Sequence, residues 1–545
     1  MCGIFGGHPN LLKKNVEGVL RHRGPDQQGE VQFEDRRGET FRFGAVRLSI
    51  VTKADVLTPL MVNGACITFN GEIYNWHEIR KELEAKGIRF FTDTDTEVVA
   101  QAYLQWGPAC LDRFNGPFAI AIWRDGELFL ARDRLGKRPL FFAMEGDSFA
   151  FASEMKAFKK FQYEEINICE KLEFYFDEFT VFRDIYSIKP GEFILYDTNT
   201  RKATTIIWWE YPKYQGSITD LTAALGEFIP LFEDACKLRL RADVPVTLYL
   251  SGGLDSSLIQ SICRLDHTYT VQFEEYKETI DERSLVEEYA KFLQFETRIL
   301  TPTRAEFLDS LSLMARYLEM PVGSFSVFPL YYLGRECRRD EYGVALTGDG
   351  ADELFNGYYR HEMLLEEDNA VQRYVDGPYR DLTRRYFGTR LERFCRMASR
   401  GGDADVGVLL ELFRPFWSEG APLVHNLSVI DTKFFMQPLL AMADRMSMAS
   451  GVETRSPFLD HRIVEFSVKL APELRYNDGR GKYILREALK EILGTTEIGI
   501  MRRDVKHGLP APMNQWLSYQ GNFDRKEWNQ MLASECVREM NQLPN

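Results

Sequence analysis

The stretch that most constrains this chain is Leu248-Tyr-Leu-Ser-Gly-Gly-Leu-Asp-Ser-Ser257. The apolar run Val244 to Leu250 stops at Ser251-Gly252-Gly253, and a helix-compatible segment, Leu258 to Leu265, follows at once. That order predicts a strand, a glycine turn and a helix, which aims backbone N–H groups and a positive helix end at an anion. Gly252 and Gly253 let the backbone approach a phosphate with no Cβ in the way. Ser251, Ser256 and Ser257 offer hydroxyl donors. Asp255 would repel a bare phosphate, so it points to a Mg²⁺ bridge. No Gly-Lys-Ser/Thr closes the loop, which excludes the Walker A pattern. For a lone Ser-Gly-Gly the plain alternative is a tight strand–helix turn without a ligand.

Tyr269 to Phe273 and Val344 to Thr347 read as two more short apolar strands, with helical stretches between them. The predicted core is therefore a doubly wound α/β sheet, whose ligands sit at the carboxyl ends of strands near the switch point. The third strand runs into Gly348-Asp-Gly-Ala-Asp-Glu-Leu-Phe-Asn-Gly-Tyr358. Its acids Asp349, Asp352 and Glu353 repel one another unless a cation or solvent intervenes, and beside a phosphate loop that favours Mg²⁺. A solvated acidic turn is the alternative. Beyond it the chain reads as mostly helical. Gly481-Lys482-Tyr483 opens a helix with a lysine in its first turn, where a cation opposes the helix dipole and calls for an anionic partner.

The first 200 residues read differently. Phe118 to Trp123, Leu128 to Arg132, Leu140 to Ala143 and Ser148 to Ala152 are strands, and the pattern suggests stacked antiparallel sheets covered by helices. Cys2 stands where removal of Met1 leaves a free α-amine beside the thiol, and such an amine can serve as base at working pH. Gly3 to Gly7 follows as a short buried strand. Arg47 sits at the start of the apolar Leu48-Ser49-Ile50, suited to clamp a carboxylate with two hydrogen bonds. Asn70-Gly71 pairs an amide side chain with a glycine N–H, either an oxyanion hole or a hairpin turn. Thr94 caps a helix, and Asp95 in its first turn can face a substrate ammonium.

Composition bounds the rest. A length of 545 residues suggests two to four domains. Ile185 to Phe193 closes the first domain, Trp208 to Ser217 reads as a linker, and a helix over Thr222 to Leu240 opens the second, so the boundary falls near residue 210. No apolar run reaches the roughly 18 residues of a membrane span, and no signal-peptide pattern opens the chain. Nine cysteines, odd in number and without metal spacing, predict a reducing, cytoplasmic setting. A net charge of −14 speaks against a nucleic-acid binder. Clusters such as Arg384-Arg385 and Arg502-Arg503 are local.

Cys2-Gly-Ile-Phe-Gly, Arg21-His-Arg-Gly-Pro-Asp, Arg47-Leu-Ser-Ile, Phe69-Asn-Gly-Glu-Ile-Tyr-Asn and Arg132-Asp-Arg-Leu-Gly resemble a class II glutamine amidotransferase domain of the N-terminal-nucleophile fold. That resemblance implies Cys2 as nucleophile, Asn70 and Gly71 as oxyanion hole, Arg47 on the glutamine carboxylate, and Glu72 and Asp95 at its amino end. Ser251-Gly-Gly-Leu-Asp-Ser-Ser, Gly348-Asp-Gly-Ala-Asp-Glu, Val452-Glu-Thr-Arg-Ser-Pro-Phe-Leu-Asp and Gly481-Lys-Tyr-Ile-Leu-Arg-Glu resemble the ATP-pyrophosphatase domain of glutamine-hydrolysing asparagine synthetases. It implies ATP on Ser251, Gly252, Gly253, Asp255, Ser256 and Ser257, with Leu250, Val271, Thr347 and Gly348 close by. It further implies Mg²⁺ on Asp255 and Asp352, Asp349 at the acyl-adenylate, and Lys482 at the phosphates. The expected organisation is residues 1–210 as glutaminase and 211–545 as synthetase, with a homodimer. Departures are Thr52, where the family often has an acid, Gln272, where glycine often follows the strand, and Asn356, where a second glycine is usual. Glu319 to Pro329 also lacks an arginine that some asparagine synthetases carry. The acceptor therefore stays open between aspartate and another carboxylate, such as one on peptidoglycan or a surface sugar. A glutaminase alone and a non-catalytic regulator are the remaining readings; the intact loops and Cys2 speak against them.

Overall fold

The computed structural model describes residues 2–51, 58–159, 162, 175–276, 282–366, 389–398, 406–502, 511–517 and 525–543. Thr52, Arg384-Arg385 and Arg503 lie outside the described residues. Among the described residues no helix is long and apolar enough to cross a membrane.

The first 207 residues form two six-stranded antiparallel sheets. In chain order the strands are β1 (Cys2–Gly7), β2 (Gln27–Glu34), β3 (Thr40–Arg47), β4 (Leu60–Val62), β5 (Ala65–Gly71), β6 (Phe118–Arg124), β7 (Glu127–Arg132), β8 (Phe141–Glu145), β9 (Ser148–Ala152), β10 (Ile185–Ser187), β11 (Glu192–Asp197) and β12 (Lys202–Ile207). One sheet runs β10-β8-β9-β1-β3-β2 and the other β12-β11-β7-β6-β5-β4. The alternation along β6 shows why they stack. Ala119, Ala121 and Trp123 join Ile4, Phe41, Phe43, Leu130 and Phe151 in the core between the sheets. Phe118, Ile120 and Ile122 face the other way, onto helices Trp76–Ala85 and Asp95–Trp106. Both faces are apolar because both are covered. The outer side of the first sheet is covered partly by the second half of the chain: Phe5 and Phe141 share a core with Phe394, Leu427 and Phe434.

The second half is built on parallel strands: β13 (Val246–Leu248), β14 (His267–Val271), β15 (Glu296–Leu300), β16 (Val344–Leu346) and β17 (Glu453–Arg455). β13, β16 and β17 pair in that order, β14 pairs with β15, and a parallel bridge between Tyr249 and Tyr269 joins the two groups. The resulting order, β15-β14-β13-β16-β17, reverses at β13, the switch point of a doubly wound sheet. Leu248 and Leu346 face helices Leu221–Arg239, Leu254–Cys263 and Tyr483–Leu493. Tyr249 and Ala345 face helices Arg304–Leu318, Val327–Arg339 and Met436–Met448.

Several expectations are corrected. Arg47 ends β3 instead of starting a strand. Asn70-Gly71 is the end of β5, not a hairpin turn. The helix after Gly253 begins at Leu254, four residues earlier than its apolar part suggests, because Gly253 is its N-cap and the polar residues Asp255 to Ser257 form its first turn. β15 and β17 were not expected: each is short, and Glu453-Thr454-Arg455 carries two charges. β15 keeps its charges at the surface and is a strand through its parallel pairing with β14; β17 is a strand because its charges are paired inside the protein.

Those pairs tie the halves together. Arg23 Nη2 meets Asp444 Oδ2 at 2.8 Å, Arg138 Nη1 meets Asp444 Oδ1 at 3.2 Å, Arg138 Nη2 meets Glu453 at 3.4 Å, and Arg455 Nε meets Glu453 at 2.6 Å. All five side chains are fully buried. Breaking such a set leaves an uncompensated buried charge, which costs far more than an exposed pair contributes. Asp444→Ala takes one carboxylate from two buried guanidiniums, leaving Arg23 with Glu154 and Arg138 with Glu453, and the expected loss is about 3–5 kcal/mol, read as a lowered urea midpoint. A change under 1 kcal/mol would show that the network relaxes freely.

Candidate functional site

The first cluster forms where β1 and β5, from opposite sheets, end side by side. Cys2 opens β1 and pairs with Arg47 at the end of β3. Its backbone N–H donates to Asn70 Oδ1 at 3.1 Å. With Oδ1 so engaged, Asn70 Nδ2 is a buried donor that has no hydrogen-bond partner. Gly71 follows with φ +152, and a Cβ there would lie 2.1 Å from Pro117 O, so only glycine fits. Arg23 Nε donates to Cys2 O at 3.1 Å and fixes the nucleophile's backbone. Burial pushes the Cys2 thiol up from its ordinary value, while a backbone hydrogen bond to Leu48 and the charge of Arg47 pull it down. Arg47 Nη1 donates to Gln27 Oε1 at 3.0 Å and Nη2 to Val51 O at 3.3 Å.

Two acids complete the cluster. Thr94 caps its helix by accepting from Glu97 N–H, which puts Asp95 in the first turn, and Ile73 N–H donates to Asp95 at 3.3 Å. Burial raises Asp95 to about 6. Burial, then Asp95 and Glu453, raise Glu72 well above its ordinary value, and Arg455 opposes them from 3.7 Å. Two carboxylates pushed up by desolvation, Glu72 also by like charge, form a site that an arriving ammonium would restore to the charged state.

The second cluster lies at the switch point. The hydroxyls of Ser256 and Ser257 donate to Ser251 O (2.9 Å) and Gly253 O (2.8 Å), so they brace the 251–257 loop from within. Gly253 is extended, at φ −99, so backbone strain does not demand glycine there. Leu250 and Val271 sit at adjacent strand ends, where Thr270 Oγ1 donates to Leu250 O at 2.7 Å. Thr347 Oγ1 donates to Asp349 Oδ2 at 2.7 Å. Gly348 packs on Asp255, 2.9 Å from its Cβ to an added one.

Lys482 joins the two loops. It is the N-cap of its helix, at φ +58, rather than a first-turn residue. Its Nζ lies 2.7 and 2.6 Å from the two Asp255 oxygens and 2.7 Å from Asp352 Oδ1. Gly357 gives it room: a Cβ there would sit 2.0 Å from Lys482 Cε. The anionic partners expected of this lysine are thus the two acids themselves. Two carboxylates converging on one cationic position form a hard oxygen donor set, which suits Mg²⁺.

Sequence reading missed four residues here. Arg23 and Arg455 lie in strings the sequence singles out, but their partners stand 21 and more positions away, so no local signal gives their roles. Glu353 was seen only as one of three acids. It is fully enclosed, burial raises it to about 7, and Tyr358 Oη donates to it at 2.5 Å. Lys137 lines a cavity between the two clusters.

Residues 227–543 match the asparagine synthase family and residues 1–209 the glutamine amidotransferase domain family. Asparagine synthetase [glutamine-hydrolyzing] 1 of Bacillus subtilis is 30% identical over 98% of this chain and 90% of its own. Amidase chry2 of Gibberella zeae is 26% identical over 93% of this chain and 89% of its own. The glutamine phosphoribosylpyrophosphate amidotransferase structure from B. subtilis gives a TM-score of 0.30 at 15% identity, over 64% of this chain and 82% of that one.

The Lys482 geometry carries a test. Lys482→Met removes the cation bridging Asp255 and Asp352, so Mg²⁺ should raise the thermal midpoint of this variant more than that of the unmodified protein. An equal response in both would show that these carboxylates do not form the metal position.

Proposed function

Because the chain belongs to the glutamine-hydrolysing asparagine synthetase family, we propose that it makes asparagine from aspartate, taking nitrogen from glutamine and driving the reaction with ATP. Residues 1–210 act as the glutaminase and 211–545 as the synthetase. Arg47 holds the glutamine carboxylate and Glu72 and Asp95 its ammonium. The Cys2 thiol gives its proton to its own α-amine and attacks the amide carbon, Asn70 Nδ2 and Gly71 N–H receive the oxyanion, and the amine passes that proton to the departing nitrogen. Ammonia leaves, and water cleaves the thioester to glutamate. In the second half the 251–257 loop takes the ATP phosphates, with Leu250, Val271, Thr347 and Gly348 around the nucleotide. Asp255 and Asp352 hold Mg²⁺, which would neutralise charge on the phosphates. The aspartate carboxylate displaces pyrophosphate to give an acyl-adenylate beside Asp349, and ammonia displaces AMP. Eight described cysteines are free thiols, in keeping with a cytoplasmic setting; the expected homodimer belongs to the same proposal.

The observation that carries this reading is the unpaired, buried Nδ2 of Asn70 held beside Cys2. Buried donors are almost always satisfied, so one aimed beside a nucleophile is a place kept for developing charge.

A second acceptor is favoured by one region. Glu319 to Pro329 offers no arginine, and Glu319 is itself engaged by Arg445 and by the backbone N–H groups of Met155 and Lys156. With amidases among the relatives, another carboxylate then replaces aspartate in the same chemistry. Pyrophosphate release with ATP, Mg²⁺ and glutamine, with and without aspartate, decides. Aspartate-dependent release with asparagine formed supports the first reading; glutamine hydrolysis indifferent to aspartate supports the second.

Two outcomes follow from the geometry. Gly71→Ala should lower glutaminase kcat about 10²–10³-fold while pyrophosphate release driven by ammonium chloride persists. For glutamine, kcat/KM should fall as pH drops through about 6, because Asp95 then takes up a proton and loses the charge that meets the substrate ammonium. A flat profile from pH 5 to 8 would remove Asp95 from that role.

A further inference from the structure

One cavity lies between the two clusters, with about 30 Å³ open to a water-sized sphere, room for one or two molecules the size of water or ammonia. On one side it is lined by Pro117, whose carbonyl accepts from Glu72 N–H at 3.0 Å. It therefore backs onto the end of β5. On the other side it is lined by Ser456 and Leu459. Ser456 Oγ donates to Asp349 O at 2.6 Å, and Leu459 packs on Gly350, so this wall backs onto the acidic loop after β16.

Lys137 stands in the wall between. It is 4% exposed, and its Nζ is buried with no hydrogen-bond partner. The other charged residues around it are held. Arg134 donates to the carbonyls of Leu111, Asp112 and Phe114, and Arg239 to Asp460 and Ser456 O. Asp133 accepts from the N–H groups of Phe118, Leu135, Lys137 and Arg138. A buried ammonium without a hydrogen bond is costly, and methionine would fill the same space without that cost. Burial lowers Lys137 to about 8, Asp349 opposes that, and Arg138 and Arg239 add to it, which leaves the amine mostly charged at neutral pH.

We propose that Lys137 makes this cavity a passage for neutral ammonia and a barrier to ammonium ion. The inference rests on the glutamine-to-ammonia reading above. A fixed cation in a narrow polar passage repels other cations and leaves small neutral molecules unaffected. Ammonia released behind Gly71 is then held in the form that can attack, and ammonium from solvent is kept out. Lys137 acts on what passes, not on the reacting atoms.

The test is a charge series in the full-length protein: Lys137→Arg, Lys137→Met, Lys137→Gln and Lys137→Glu. With glutamine, ATP, Mg²⁺ and aspartate, the ratio of glutamate to pyrophosphate should stay near that of the unmodified protein in Lys137→Arg. It should rise at least threefold in the Met and Gln variants and further in Lys137→Glu, with glutamate formation changed less than twofold throughout. A ranking by size, with Arg as uncoupled as Glu and Met unaffected, overturns the proposal. A second arm needs no acceptor. Crystals soaked in thallium(I), a stand-in for ammonium, should show the ion in the cavity of Lys137→Glu and none in the unmodified protein. Thallium beside Lys137 in the unmodified protein, or none in Lys137→Glu, overturns it. If glutamine is hydrolysed but aspartate elicits no pyrophosphate, the acceptor reading fails, and the thallium arm decides Lys137 separately.

Discussion

The structure depends on a chain of buried ion pairs crossing between its halves: Arg23, Asp444, Arg138, Glu453 and Arg455, with Glu72 at the far end. Buried charges are expensive to desolvate, and their mutual attraction repays that only when each has its partner in place. Neither half supplies a complete set. The first contributes Arg23, Arg138 and Glu72, and the second Asp444, Glu453 and Arg455. The halves therefore pack in one arrangement, and that arrangement fixes the distance between Cys2 and the loops of the parallel sheet.

The network also reaches both sites. Arg23 holds the Cys2 carbonyl at one end, and Arg455 faces Glu72 at the other. Arg455 O accepts from Thr347 N–H at 2.9 Å, so the strand that stabilises Glu72 is bonded to the residue that starts the acidic loop. The same interface encloses the cavity at Lys137. Charge pairing, site geometry and the space between the sites are three consequences of one contact.

Much of the local structure was legible. The strands Phe118 to Trp123 and Leu128 to Arg132, the Thr94 cap, the helix expected over Thr222 to Leu240 and found over Leu221–Arg239, and the strand–loop–helix at Ser251 follow from capping, turn chemistry and apolar period, which act over a few residues. β17 was not legible, because Glu-Thr-Arg carries no apolar pattern. Its charges are internal because Arg138 and Glu72, hundreds of residues earlier, meet them. The end of β3 at Arg47 was misplaced for a related reason: the apolar residues after it, Leu48 and Ile50, pack in a small core with Val344 and Met448 and not in a strand.

By itself the sequence determined the kinds of chemistry available: a cysteine at position 2, an Asn-Gly pair, a glycine–serine loop after a strand, and acids after another. Those are short-range facts of residue type and spacing. Tertiary structure alone decided which groups are left unsatisfied or shared. Asn70 Nδ2 lacks a partner because Cys2 N–H takes its Oδ1 from the opposing sheet. Lys482 spans Asp255 and Asp352 across 227 and 130 positions of chain. Lys137 is buried without a hydrogen bond because two halves close over it. A hydrogen bond and a desolvation cost depend on distance in space, and sequence separation does not contain that distance.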